Sequence, residues 1–207
     1  MKKVLLIMAV LLIPVVCFGK ARDEDEFRLY DDIDYNSIKI STVTVLPFKN
    51  TVGKQSSEEV QDLQSVLKEI FEVRGIKVID ATEELQKQRV DIVFDDISPE
   101  KLTAIGKALG ADTVLSGTIY KFQTSKKGIA TVGISGNLFY VPKETFIYKA
   151  KLAREKKINS AKKWVVGIYR GESKQNRYKA LSDCASDMLA PVFDKLGIKP
   201  PPETETK

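Results

Sequence analysis

The opening segment constrains the rest of the chain more than any other feature. Lys2 and Lys3 precede an apolar run from Val4 to Val16, broken by Pro14, and small residues suited to cleavage follow at Gly19 and Ala21. Positive, then apolar, then small is the order of an export signal, and the run falls short of the roughly 20 apolar residues a spanning helix needs. Cleavage after Gly19 or after Ala21 satisfies the small-x-small rule. Cys17 offers a third route, acylation as the first residue of a lipoprotein; Val16 counts against it, because that processing wants a small residue before the cysteine. Once the signal leaves at 19 or 21, Cys184 is the sole remaining cysteine, so no internal disulfide can staple the fold in an oxidising compartment. Core packing must hold the domain.

The composition supplies that core. With 207 residues and 43% hydrophobic content the chain can bury one substantial core, which argues for one domain with extensions. Acids and bases are interspersed, and the formal charge of +5 drops by two with Lys2 and Lys3, leaving no basic stripe for nucleic acid. The expected organisation is a signal over 1–19, an acidic extended leader over 20–37, a single α/β domain over 38–197 and a Pro-rich disordered tail over 198–207.

Within the domain, Ile38 to Phe48 is rich in β-branched residues and predicts a first strand ending at Pro47, with a loop from Asn50 to Ser57. Ser56 and Glu59 form a capping-box pair, and Val60, Leu63, Val66, Leu67, Ile70 and Phe71 recur at helical spacing until Gly75. Ile76 to Ile79 predicts a returning strand and Thr82 to Gln88 a short helix. Ser98, Pro99 and Glu100 start another helix with Leu102, Ile105 and Leu109 on one face, Gly106 marking close packing and Gly110 ending it. Ala111 to Phe122 reads as a strand whose Thr113, Leu115, Gly117, Ile119 and Lys121 share a face. A turn over Ser125 to Gly128 then separates it from strands over Ile129 to Val141, Phe146 to Ile158 and Trp164 to Tyr169. In the second of these, Phe146, Tyr148, Ala150 and Leu152 should face the core and Lys149 and Lys151 the other way. From Lys174 onward a stripe of Leu181, Cys184, Met188 and Val192 predicts a last helix ended by Gly197 and kinked or broken by Pro191.

Few residues offer chemistry. The chain has no histidine, which removes the commonest general base and metal ligand. Cys184 sits on an apolar stripe and reads as a core residue. Ser-x-x-Lys occurs at Ser65, Ser98 and Ser160, without the Lys-Thr-Gly motif that accompanies it in penicillin-recognising enzymes. Val52-Gly-Lys-Gln lacks the rest of a phosphate loop, and Asp91, Asp95 and Asp96 lack the alternation of a calcium loop. No catalytic residue, cofactor or metal is expected.

Two segments carry a resemblance: Val43-Thr-Val-Leu-Pro-Phe-Lys-Asn50, and Ile105-Gly-Lys-Ala-Leu-Gly-Ala-Asp-Thr-Val-Leu-Ser-Gly-Thr-Ile-Tyr120. Together with the helix between them they resemble the superfamily of bacterial envelope proteins containing CsgG, LpoB, FlgO-type lipoproteins and the amino-terminal domain of TolB. The match covers residues 38–122 and continues beyond only in the order of elements. The resemblance implies a three-layer α/β fold, a mixed sheet with helices packed on it, and a non-enzymatic factor in the periplasm or on the periplasmic face of the outer membrane that binds envelope proteins. An oligomeric subunit of an outer-membrane secretion pore is the first alternative, with Ile129 to Leu152 as the candidate inserting hairpin, and a hydrolase the second. Pro47, Phe48, Gly110, Asp112 and Gly117 are expected to be structural, Gly117 admitting a neighbouring backbone. The loop Lys49 to Ser57 and the hairpin region Ile129 to Lys143 are the expected contact elements.

Overall fold

A computed structural model describes residues 25–52, 57–81, 97–125, 129–157 and 169–199. The expected signal peptide, Cys17, the cap residue Ser56, the helix over 82–88, the aspartates at 91, 95 and 96, Ser160, most of the strand over 164–169 and the tail from 200 lie outside the described residues.

The strands are β1 (Glu26–Leu29), β2 (Thr42–Val45), β3 (Lys49–Asn50), β4 (Lys77–Asp80), β5 (Thr113–Thr124), β6 (Ile129–Tyr140) and β7 (Thr145–Lys157). Among the described residues the helices are α1 (Ser57–Glu72), α2 (Pro99–Leu109) and α3 (Tyr169–Lys195), with short 3-10 turns at Tyr35–Ser37 and Val141–Lys143. The strands form one mixed sheet in the order β1-β7-β6-β5-β2-β4, with β3 also pairing β5. β5, β6, β7 and β1 are antiparallel neighbours, whereas β2 runs parallel to both β5 and β4. The β2–α1–β4 unit supplies the crossover that parallel pairing requires.

The core lies mainly on one face. Leu63, Val66, Leu67, Ile70 and Phe71 of α1 and Leu181, Cys184, Met188 and Val192 of α3 are buried there against Leu115, Ile119, Ile134 and Leu152, as their spacing predicts. Phe71 meets Phe193 edge to face, centroids 5.5 Å apart, and so couples the two helices. On the opposite face α2 buries Leu102 and Ile105 with Leu46, Val114, Phe139 and Val141. This is the expected three-layer α/β arrangement.

Several expected boundaries move. The first strand is limited to Thr42–Val45; Ile38 is buried as the residue closing the Tyr35–Ser37 turn. Pro47 has no N–H to offer the ladder, so pairing lapses there and resumes in β3, which takes in Lys49 and Asn50 of the expected contact loop. Upstream of Ile38, β1 pairs along β7 and Tyr35 is buried, its hydroxyl donating to the Ile147 carbonyl at 2.6 Å. The packed body therefore takes in residues that the sequence assigns to an extended leader.

Two faces are also corrected. Leu138 pairs with Tyr148 but Phe139 with Phe146, leaving Ile147 as the extra residue of a bulge in β7. Phe146 consequently leaves the face of Tyr148, Ala150 and Leu152 and stacks edge to face on Phe139 under α2, 5.2 Å between centroids. In β5 a second shift makes Tyr120 the extra residue and pairs Lys121 with Gly133, so Lys121 leaves the face of Ile119 and Phe122 takes its place.

The last helix starts earlier than expected: Tyr169, read from sequence as the end of a strand, is its first residue. The helix runs past Pro191 to Lys195 without the expected break.

Candidate functional site

Among the described residues, Cys184, Ser65 and Ser98 are committed to the fold. Cys184 is fully buried, its Sγ 3.6 Å from the carbonyls of Val132 and Leu152, and burial pushes the thiol pKa up to about 12. Such a group stays protonated and unreactive near neutral pH. Ser65 donates to the Gln61 carbonyl one turn back at 3.0 Å, and Ser98 caps α2, its side chain accepting from the Lys101 amide. Among the described residues no group of three or more His, Cys, Asp or Glu side chains is placed to hold a metal ion.

The motif residues occupy structural positions. Asp112 reaches farther than its own turn: its Oδ2 accepts from the amides of Ser41 at 2.8 Å and Thr42 at 2.9 Å, and its own amide donates to Thr42 Oγ1 at 2.8 Å. The helix-to-strand turn thereby pins the start of β2 in register beside β5. Gly110 ends α2 in the left-handed conformation at φ +65°, and the Ala111 amide reaches back to the Gly106 carbonyl at 2.9 Å. A Cβ at Gly117 would lie 2.2 Å from the Ser135 carbonyl oxygen and 2.4 Å from the Phe48 ring, so the neighbouring backbone it admits belongs to this chain. Phe48 is buried over that gap.

The expected contact elements fare unequally. Of the loop, Asn50 is buried, donating to Glu59 Oε2 at 3.2 Å and accepting from the Val52 amide at 2.9 Å, while residues 53–56 lie outside the described residues. The hairpin region offers no sheet edge, because β6 is flanked by β5 and β7. Its apolar face, with Ala130, Val132, Ile134 and Leu138, lies in the core with α3, so the candidate inserting hairpin turns its polar side outward.

That polar side is only partly covered by the described helices. Beyond α2 no described helix packs on it. The strand register lays side chains across it in rows. One row runs from Glu26 through Lys151, Ser135 and Thr118 to Lys49, and the next from Arg28 through Lys149 and Asn137 to Ser116. Neighbours in a row stand about 4.8 Å apart, and the two rows are about 7 Å apart along the strands. Tyr120 lies on the same side, its ring against Gly133 and the Lys151 ammonium 5.4 Å from its centroid. Sequence alternation marks Lys149 and Lys151; the rows depend on pairing and bulges that alternation does not reveal. A shallow groove of about 240 Å³ also opens between α1 and the ends of β2 and β4, lined by Gln61, Gln64, Ser65, Lys68, Ile79 and Asp80.

No family model and no curated protein matches the chain. Among solved structures it is similar to a single-substitution variant of the PelC dodecamer from Paraburkholderia phytofirmans, with a TM-score of 0.50 at 13% identity over 82% of this chain and 98% of that one. It is also similar to the hypothetical protein CT253 from Chlamydia trachomatis, with a TM-score of 0.52 at 13% identity over 77% and 99%. The LpoB C-terminal domain from Escherichia coli matches over 55% of this chain and 81% of that one, at 18% identity and a TM-score of 0.39. The fold is thus similar to that of the PelC variant and of CT253. At such identities the likeness is one of fold.

Proposed function

We propose that this chain is an exported, non-enzymatic protein of the bacterial envelope, acting in the periplasm or on the periplasmic face of the outer membrane by binding other envelope components. The observation that carries the reading is the division of labour among its side chains. Groups with chemical potential, Cys184, Asp112 and Tyr148, are engaged by the fold, while beyond α2 a polar sheet face is left without a described helix on it. The signal-like Lys2 to Ala21 segment and the resemblance of residues 38–122 to the envelope superfamily containing CsgG and LpoB support the location. A photo-crosslinking residue placed at Ser135 in the full chain, expressed in its own cells, should capture envelope components; adducts with cytoplasmic material alone, or none, overturn the reading.

Assembly into a ring is the second reading. PelC, whose fold is similar, is a dodecamer, and β1 and β4 are the outermost strands of the sheet here. Light scattering coupled to size exclusion decides it: a monomer at every concentration tested excludes a stable ring.

A further inference from the structure

We propose that the uncovered sheet face is a docking surface for an acidic glycan, a polymer bearing carboxylates among its hydroxyls. The inference names the chemistry of one partner and rests on the envelope reading only for where such a polymer is met. Charge gives the first argument. Lys149 and Lys151 are exposed, neither forms an ion pair with a described carboxylate, and with Arg28 and Lys49 they outnumber Glu26, the one carboxylate of the two rows. Between these lysines and β5 the rows continue as Ser135, Asn137, Ser116 and Thr118, half-buried, with no side-chain hydrogen bond to a described residue. A floor of short hydroxyl and amide groups between cations matches a chain that alternates hydroxyls with carboxylates.

What the face lacks narrows the occupant. Its rows consist of charged and short polar side chains, without the large apolar anchors that a protein interface or a lipid layer engages. The Tyr120 ring lies against Gly133 with the Lys151 ammonium over it, 5.4 Å from its centroid, which holds that cation on the face. Paired strands hold the floor, and its short side chains lose little freedom on binding, which lowers the entropic cost of capturing an extended polymer.

The test uses the purified protein and polygalacturonate at low ionic strength, with dextran, poly-glutamate and phosphatidylglycerol vesicles as comparators. Polygalacturonate should bind and dextran should not. Lys149→Glu with Lys151→Glu should weaken binding by about ten-fold or more in protein that is still folded at the assay temperature, as its unfolding midpoint checks. Ser135→Ala with Asn137→Ala should weaken binding of polygalacturonate and leave poly-glutamate unaffected. No binding of polygalacturonate, binding indifferent to the lysine reversals, or tighter binding of poly-glutamate or vesicles through the same lysines overturns the proposal. A failure here leaves the envelope reading intact, since that reading stands on capture in cells.

Discussion

At the scale of single residues, the polar groups of this protein do their work inside the body. Asp112 is the clearest case: one carboxylate oxygen takes two amides some seventy positions earlier in the chain and so fixes where β2 begins. Sequence places Asp112 two positions after a helix-ending glycine and marks it as structural, but the donors it found are distant in sequence and close only after folding. Buried hydroxyl and thiol groups give a measurable consequence. Burial raises the pKa of Cys184 from 9.0 to about 12 and that of Tyr148 above its ordinary 10.0, while the Tyr148 hydroxyl donates to the Met188 carbonyl. The unfolded chain loses these protons first, so their contribution is intact below about pH 9 and is lost as pH climbs toward 12. The urea midpoint should therefore stay level up to pH 9 and then fall. Cys184→Ala and Tyr148→Phe should each make that fall shallower, though each also lowers stability at neutral pH. An unaltered slope in both variants would show that other groups govern the alkaline transition.

At the scale of elements, hydrophobic period and end signals work well where a helix is local and less well where strands bulge. The apolar stripes of all three helices face the core, and Gly75, Gly110 and Gly197 each end a helix at positive φ. The two β-bulges escape notice because an extra residue is defined by its partner strand; alternation alone puts Phe146 and Lys121 on the wrong sides. Pro191 was expected to kink or break the last helix, and it does not break it. Its missing amide leaves the Asp187 carbonyl without its helical donor, yet α3 continues because Val192 and Phe193 are held in the core. Proline costs about 3 kcal/mol against alanine inside a helix, and its rigidity returns up to about 1 kcal/mol through the unfolded chain. Pro191→Ala should then stabilise the protein by about 2 kcal/mol in chemical denaturation; a destabilised variant would mean that the ring's own packing outweighs the lost bond.

At the scale of the whole molecule, one sheet joins the acidic N-terminal residues to the body. β1 lies along β7, Arg154 pairs with Asp25 and Asp187, and Tyr35 fills a buried position. A chain starting at residue 25 should keep the stability of the processed protein. One starting at Ile38 should lose about 3 kcal/mol or more, the scale of removing a buried aromatic alone. Equal denaturation midpoints for the two would show that β1 and the Tyr35–Ser37 turn are dispensable. The sequence by itself determined the class of fold, the helices and their buried faces, the glycine stops and the residues reserved for structure, because each depends on periodicity or on the steric demands of a few neighbouring positions. Tertiary structure alone decided that β1 belongs to the sheet, that the Gly117 gap is filled by Ser135 and Phe48, and that lysines and short polar side chains align on one open face. Those features arise from contacts between residues far apart in the chain, and strand register and bulges fix them only when the whole sheet has formed.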